Sequence, residues 1–191
     1  MDLLVRSVRI AEDLTKYLSY GNGMLPIQLV LREWNEKCVA HPEGEFRCFV
    51  GHNRLNAVTQ YYSFMLFPVV AQRQEEIKQK LQKLFDERLC TALARFDSYV
   101  FDVWVDFSRP HELDFLIIEL NPFHVGAGTG LFSWKADREL FLNGPANGVG
   151  FELRVCKELE KEPFNILPSR WQKFCVAERQ QQLEQSKCIL C

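Results

Sequence analysis

YVFDVWVDFSRPHELDFLIIELNPF, residues 99–123, is the stretch whose reading decides this chain. Val100, Phe101, Val103, Trp104 and Val105 are β-branched or aromatic, which suits a pleated, half-buried surface, and residues 115–120 form a second run of the same kind. Ser108, Arg109, Pro110 and His111 between them are turn chemistry, so the stretch reads as two strands of a hairpin. Two acids interrupt it. Asp102 sits in the middle of the first strand, and Glu119 lies near the end of the second, two residues before Asn121. Side chains alternate faces along a strand, so Glu119 and Asn121 point the same way. A loop centred near Pro110 sets Asp102 opposite Glu119 to within one residue. Two carboxylates and a carboxamide then share one face of a sheet. Buried unpaired carboxylates are costly, and two held close repel. A divalent cation that prefers oxygen relieves both problems, and Mg²⁺ in particular takes one or two carboxylates and completes its shell with water and phosphate. Acids at strand ends also commonly face solvent, and Asn-Pro commonly marks a turn, so the residues by themselves leave both readings open.

Working outward, residues 69–95 place Val70, Ile77, Leu81, Leu84, Phe85, Cys90 and Leu93 among Gln, Lys and Glu, which predicts a long amphipathic helix lying on a sheet. Residues 45–50 predict a strand with Glu45, Arg47 and Phe49 on one face and Phe46, Cys48 and Val50 on the other. Gly51, His52 and Asn53 form a turn, and residues 54–62 return as its partner strand. Upstream, residues 7–20 have helical spacing between Ser7 and Gly21, residues 25–34 read as a strand and residues 35–44 as a loop. Downstream, residues 123–130 are a glycine-bearing loop without the lysine of a P-loop. Residues 131–142 suggest a short helix and residues 150–157 a last strand. The order implies α+β architecture, one mostly antiparallel sheet with packed helices.

Composition narrows the class. Of 191 residues, 47% are hydrophobic and 13% aromatic, enough for a substantial core. A net charge of −2 and the lack of a basic patch interleaved with aromatics argue against nucleic acid as a partner. Seven scattered cysteines, with no signal peptide ahead of them, read as free thiols in a reducing, cytoplasmic compartment. No apolar run reaches transmembrane length. Cys188-Ile-Leu-Cys191 has the form of a prenylation site, but cysteine is not among the usual terminal residues. It reads as the end of a polar, disordered tail, and no membrane anchor is expected. Trp34 and Trp104 read as core residues, and His124 as satisfied or solvent-facing.

Leu29-Val30-Leu31-Arg32, Glu45-Phe46-Arg47-Cys48-Phe49-Val50, Val100-Phe101-Asp102 and Asn121-Pro122-Phe123, followed by Leu131-Phe132-Ser133-Trp134, together resemble the cell division cycle protein 123 family. That family consists of ATP-grasp relatives that act as assembly chaperones for eukaryotic translation initiation factor 2. The resemblance covers residues 25–134, and more faintly 149–174. It implies an ATP-grasp-like C-terminal lobe over residues 25–176, an N-terminal helix and linker over 1–24, and the tail over 177–191. It implies ATP and Mg²⁺ as ligands and the γ subunit of initiation factor 2 as partner, with the chain itself a monomer. Val30, Leu31 and Arg32 fall where the backbone of relatives reads adenine and a side chain reaches phosphate. Glu45 falls where relatives contact ribose. Arg47 would help neutralise phosphate, for which a guanidinium fork is suited. Asp102, Glu119 and Asn121 fall on the Mg²⁺ ligands.

The chain departs from that pattern at Glu119, where the family usually carries aspartate, and over residues 124–130, where it carries an acidic turn. Few residues precede Leu25, so the phosphate-side lobe of an ATP-grasp site is expected to be missing. A site without it should hold nucleotide poorly. Binding rather than turnover is expected, because no nucleophile–base pair is evident. The alternatives are an ATP-grasp carboxylate–amine ligase and a shortened form with impaired nucleotide binding. Arg32 and Arg47 have a structural alternative too, as partners of Glu33 and Glu45.

Overall fold

The structure, a computed structural model, describes residues 33–107 and 115–157, together with Glu12 and Thr15. The chain divides into two compact units, Met1–Asn35 and Glu36–Cys191. In the first, Glu12 and Thr15 are helical, while Glu33, Trp34 and Asn35 are neither helix nor strand. Glu33 and Trp34, expected at the end of a strand over 25–34, are therefore in no strand, and Trp34, expected in a core, is exposed. Most of the helix expected over 7–20, the rest of that strand with Val30, Leu31 and Arg32, the turn around Pro110 and everything beyond Lys157 lie outside the described residues.

The second unit opens with α1 (Glu36–Ala40) and a 3₁₀ turn (Pro42–Gly44), where a loop was expected. Nothing in α1 is buried, so no apolar periodicity announced it; Pro42 restarts the chain as the turn. Then come β1 (Glu45–Gly51) and β2 (Arg54–Gln60). The connecting residues His52 and Asn53 have φ of 52° and 56°, the mirror-image turn whose twist matches a two-residue hairpin.

The long helix expected over 69–95 is present but interrupted: α2 (Pro68–Gln72), α3 (Gln74–Leu84), a π-helical turn (Phe85–Leu89) and α4 (Cys90–Ala92). Arg73 breaks it first. Its guanidinium grips Glu76 with two bonds of 2.9 Å and lies 5.2 Å from the centre of the Phe107 ring. The π turn has a packing reason. An unbroken helix would carry the apolar stripe of Ile77, Leu81 and Phe85 on to Arg88 and Ala92. One extra residue in the turn rephases it, so that Leu89 and Leu93 pack on the core instead.

β3 (Tyr99–Val105) and β4 (Phe115–Pro122) follow, then α5 (Arg138–Asn143) and β5 (Glu152–Arg154). The helix expected over 131–142 is confined to α5, and the last strand is three residues long. The strand order is β4-β3-β1-β2-β5, antiparallel except for the β2–β5 pair. Phe46, Cys48, Val50, Phe101 and Val103 bury one face of this sheet against Val70, Ile77, Leu81 and Phe85 of the helices. Phe49, Ala57 and Val100 bury part of the other face against Phe132 and Phe141. The alternation read from residues 45–50 is therefore the alternation observed.

Two buried amides stitch the sheet to its surroundings. Asn56 Nδ2 donates to the carbonyls of Gly51, Phe141 and Leu142, and a β-carbon at Gly51 would collide with the Phe141 carbonyl, so α5 sits directly on the β1–β2 hairpin. Gln60 Nε2 donates to the carbonyls of Tyr62 and Met65, both at 2.6 Å, and its Oε1 accepts from Cys156 N at 3.2 Å. Gln60→Leu strands two carbonyls and one amide in a buried site. The expected loss is about 2–3 kcal/mol, measured as a fall in the urea midpoint; an unchanged midpoint would contradict it.

Candidate functional site

Strand register assembles a row of charged groups across the centre of the sheet. Arg47 of β1 lies directly opposite Asp102 of β3, and Asp102 directly opposite Glu119 of β4. Asn121 follows on the face of Glu119, opposite Val100. Glu45 joins from β1, opposite Trp104. The Asp102–Glu119 pairing expected from the hairpin is the one observed.

A bulge makes this face polar. In the run Phe115-Leu-Ile117-Ile-Glu119-Leu-Asn121, the apolar Phe115 and Ile117 share strand parity with the polar Glu119 and Asn121. A regular strand would put all four on one face. The register slips between Asp102 and Val103, so Ile117 pairs with Val103 and Phe115 with Val105, packed on the helix-side core. Glu119 and Asn121 then emerge on the opposite face beside Asp102. Bulges commonly re-aim side chains next to functional sites.

Arg47 binds Asp102 with a two-pronged ion pair, Nε to Oδ1 at 2.8 Å and Nη2 to Oδ2 at 2.7 Å. Its Nη2 is also 3.9 Å from Glu119 Oε1, and its Nη1 donates to the Gly128 carbonyl at 3.0 Å. Arg47 thus pairs across strands with Asp102, where the structural alternative had been Glu45. Asn121 Nδ2 donates to Glu119 Oε1 at 2.9 Å and lies 3.5 Å from Asp102 Oδ2. The Asp102 side chain is 1% exposed and that of Arg47 12%, whereas Glu119 is half open to solvent at 46%. One end of the row is therefore buried and the other accessible.

Three carboxylates face one guanidinium here, and the proton affinities of Asp102 and Glu45 record it. Burial pushes Asp102 up; the Arg47 hydrogen bonds and charge pull it back, and Glu119 pushes it up again. Glu45 is pushed up to about 7, by burial first, then by Asp102, with Arg47 opposing and Glu119 adding. A folded-state carboxyl pKa above its ordinary value of 4.5 means that the folded protein holds the proton more tightly than the unfolded chain. That contribution is complete below pH 4.5 and is lost as pH rises through about 7. Asp102 acts in the same direction. The urea midpoint should therefore fall between mildly acid and mildly alkaline pH, and Glu45→Gln should flatten the fall. An equal slope in the variant would contradict this.

The donor set fits a hard divalent cation. Two carboxylates lie together, the negative charge exceeds what Arg47 neutralises, and one end is open to solvent; Asn121 turns its amide N–H to both carboxylates, so its oxygen would face a cation only once the amide rotated. Among the described residues no group of three or more histidine, cysteine or carboxylate side chains is arranged to enclose a metal ion. An ion at this row would therefore keep water or phosphate oxygens in its shell, as Mg²⁺ does.

Of the residues expected at the site, Glu45, Arg47, Asp102, Glu119 and Asn121 come together on one face; Val30, Leu31 and Arg32 lie outside the described residues. The glycine-bearing loop reaches the site, but with the Gly128 carbonyl toward Arg47. His124 is satisfied locally, its Nδ1 accepting from Gly126 N at 3.0 Å. Trp104 is buried as expected, with its indole N–H on the His41 carbonyl. Sequence reasoning missed Tyr61, whose ring lies over Arg47 with its centre 5.0 Å from the guanidinium carbon. Parity would have found it: Thr59 pairs with Arg47, and Tyr61 is the next residue on that face.

Comparisons with known proteins agree with this fold. A family profile described as D123 matches residues 2–178. A "Translation initiation factor eIF2 assembly protein" from Xenopus laevis is 30% identical over 120 residues, which is 63% of this chain and 33% of that protein. A protein of the same description from Aspergillus oryzae is 35% identical over 114 residues, 58% of this chain and 25% of its own length. "Cell division cycle protein 123" from Phaeosphaeria nodorum is 31% identical over 123 residues, 64% of this chain and 30% of its own. The matched stretch thus spans a third or less of these relatives. The solved structure of C-terminally truncated Cdc123 from Schizosaccharomyces pombe superposes with a TM-score of 0.63 at 24% identity, over 82% of this chain and 60% of that one.

Proposed function

Given that this chain belongs to the D123 family, we propose that it binds Mg²⁺-ATP on the carboxylate row and takes part, in the cytoplasm, in assembling eukaryotic translation initiation factor 2 through its γ subunit. On this reading residues 25–176 are an ATP-grasp-like lobe. The observation that carries it is the contiguous row Arg47–Asp102–Glu119 with Asn121 beside it, which pairs excess carboxylate with a guanidinium on a half-open face. Asp102, Glu119 and Asn121 would hold Mg²⁺. Arg47 would face phosphate and Glu45 the ribose. When bound, Mg²⁺ would supply positive charge that offsets the crowded carboxylates. The chain's own part is to bind and orient. A ligand held by the folded form alone stabilises that form and any surface it orders. The names of the relatives, which speak of eIF2 assembly, support a partner among the subunits of initiation factor 2.

The test is capture of the isolated γ subunit by this chain with Mg²⁺-ATP and with EDTA, alongside Asp102→Ala. Capture that needs Mg²⁺-ATP and is lost in the variant is expected. No capture under any condition would overturn the assembly reading. Steady ATP hydrolysis stimulated by a carboxylate and an amine would favour a ligase instead.

A further inference from the structure

We propose that Tyr61 is a positioning residue of this site: its ring holds the plane of the Arg47 guanidinium and so sets how Asp102 is presented to a cation. The inference deepens the reading of the row as a Mg²⁺-nucleotide site and, for its binding arm, rests on it.

A guanidinium has five donors at its edge and two flat faces. The edge of Arg47 is taken up by Asp102 on Nε and Nη2 and by the Gly128 carbonyl on Nη1. Those bonds fix the direction of the group within its plane. Tilting the guanidinium out of that plane bends these bonds, and a group packed on its face raises the resistance further. Tyr61 lies on one of them, at 5.0 Å from ring centre to guanidinium carbon, within cation–π range.

The ring is itself held. Tyr61 N donates to the Glu45 carbonyl at 2.9 Å, one step beyond the last β1–β2 pair, and Ser63 N donates back to the Tyr61 carbonyl at 2.9 Å. The Tyr62 ring meets it edge to face, with centres 5.4 Å apart at 68°. Gln60 fixes the segment on either side through its bonds to Tyr62 and Met65. Tyr61 is nevertheless 38% exposed. An aromatic ring tethered at backbone and edge, yet left at the surface, contributes more to its neighbour's orientation than to the core.

The consequence runs through Asp102. With the guanidinium plane fixed, the two carboxylate oxygens keep one orientation on the sheet, and the lone pairs not used by Arg47 keep theirs. Without the ring the guanidinium can tilt, and the carboxylate can follow it. The phenol hydroxyl has no part in this, so phenylalanine should substitute and leucine should not.

Two readouts test it on the full chain, with cooperative urea unfolding required of each variant. The first needs no ligand: hydrogen exchange of the Arg47 Nε–H by NMR, in wild type, Tyr61→Phe and Tyr61→Leu. Faster exchange in Tyr61→Leu by about two- to fivefold, with Tyr61→Phe like wild type, is expected. Equal exchange in all three would overturn the proposal, and so would equal acceleration in Phe and Leu, which would assign the effect to the hydroxyl. The second is Mg²⁺-ATP affinity, expected to weaken about two- to fivefold in Tyr61→Leu alone. If the wild-type chain binds no Mg²⁺-ATP, the nucleotide reading fails while the exchange arm still decides the role of Tyr61.

Discussion

Asp102→Ala is expected to cost this domain about 3 kcal/mol of stability and, with it, the Mg²⁺ binding proposed for the row. The reason lies with Arg47. Its side chain is 12% exposed and two of its three nitrogens bond Asp102, so the alanine leaves a nearly buried guanidinium without its carboxylate. Stranding one member of a buried pair typically costs about 3–5 kcal/mol, and the lower figure applies because burial already works against the charge on Asp102. Replacing both members, as Arg47→Met with Asp102→Leu, should restore most of the stability and none of the proposed cation binding. Urea unfolding of wild type, single and double variants measures this. A double variant as unstable as the single would show that the ion pair is not the source of the loss.

Phe49→Ala is expected to be worse for the fold, at about 3–5 kcal/mol. Phe49 is fully buried and stacks on Phe141 with ring centres 4.3 Å apart at 18°. Phe132 and Trp134 meet it edge to face at 6.0 and 5.8 Å. These rings belong to the segment after β4, so the cavity opens under the connection that carries the Gly128 carbonyl to Arg47. Trp134, whose indole N–H holds the Ala127 carbonyl at 2.7 Å, would lose its packing partner. Trp fluorescence should therefore change with the loss of stability, and a variant within about 1 kcal/mol of wild type would contradict the central place given to this ring.

The charged row was legible because strands have a period of two. Glu45, Arg47 and Phe49 share parity, and a hairpin loop of guessed centre was enough to oppose Asp102 and Glu119. Where structure depends on one inserted residue, pattern failed. The β4 bulge and the π turn each shift a face by one position, and no residue type demanded either. At Arg73 the backbone leaves the helical region, with φ −107° and ψ 19°, and its residue type does not announce the break. The pairing of Arg47 with Asp102 depends on which strands are neighbours, and the β1–β3 contact joins residues whose sequence separation hides it. Tyr61 escaped notice because its role is to lie on another side chain, which composition does not mark.

Calorimetric titration of the chain with Mg²⁺-ATP, beside Asp102→Asn, tests the carboxylate row most directly. Binding of one nucleotide, lost in EDTA and weakened more than about tenfold in Asp102→Asn, which keeps the size and shape of the side chain, is the expected result. Binding of equal strength without Mg²⁺ or in the variant, or none to the wild-type chain, would contradict it.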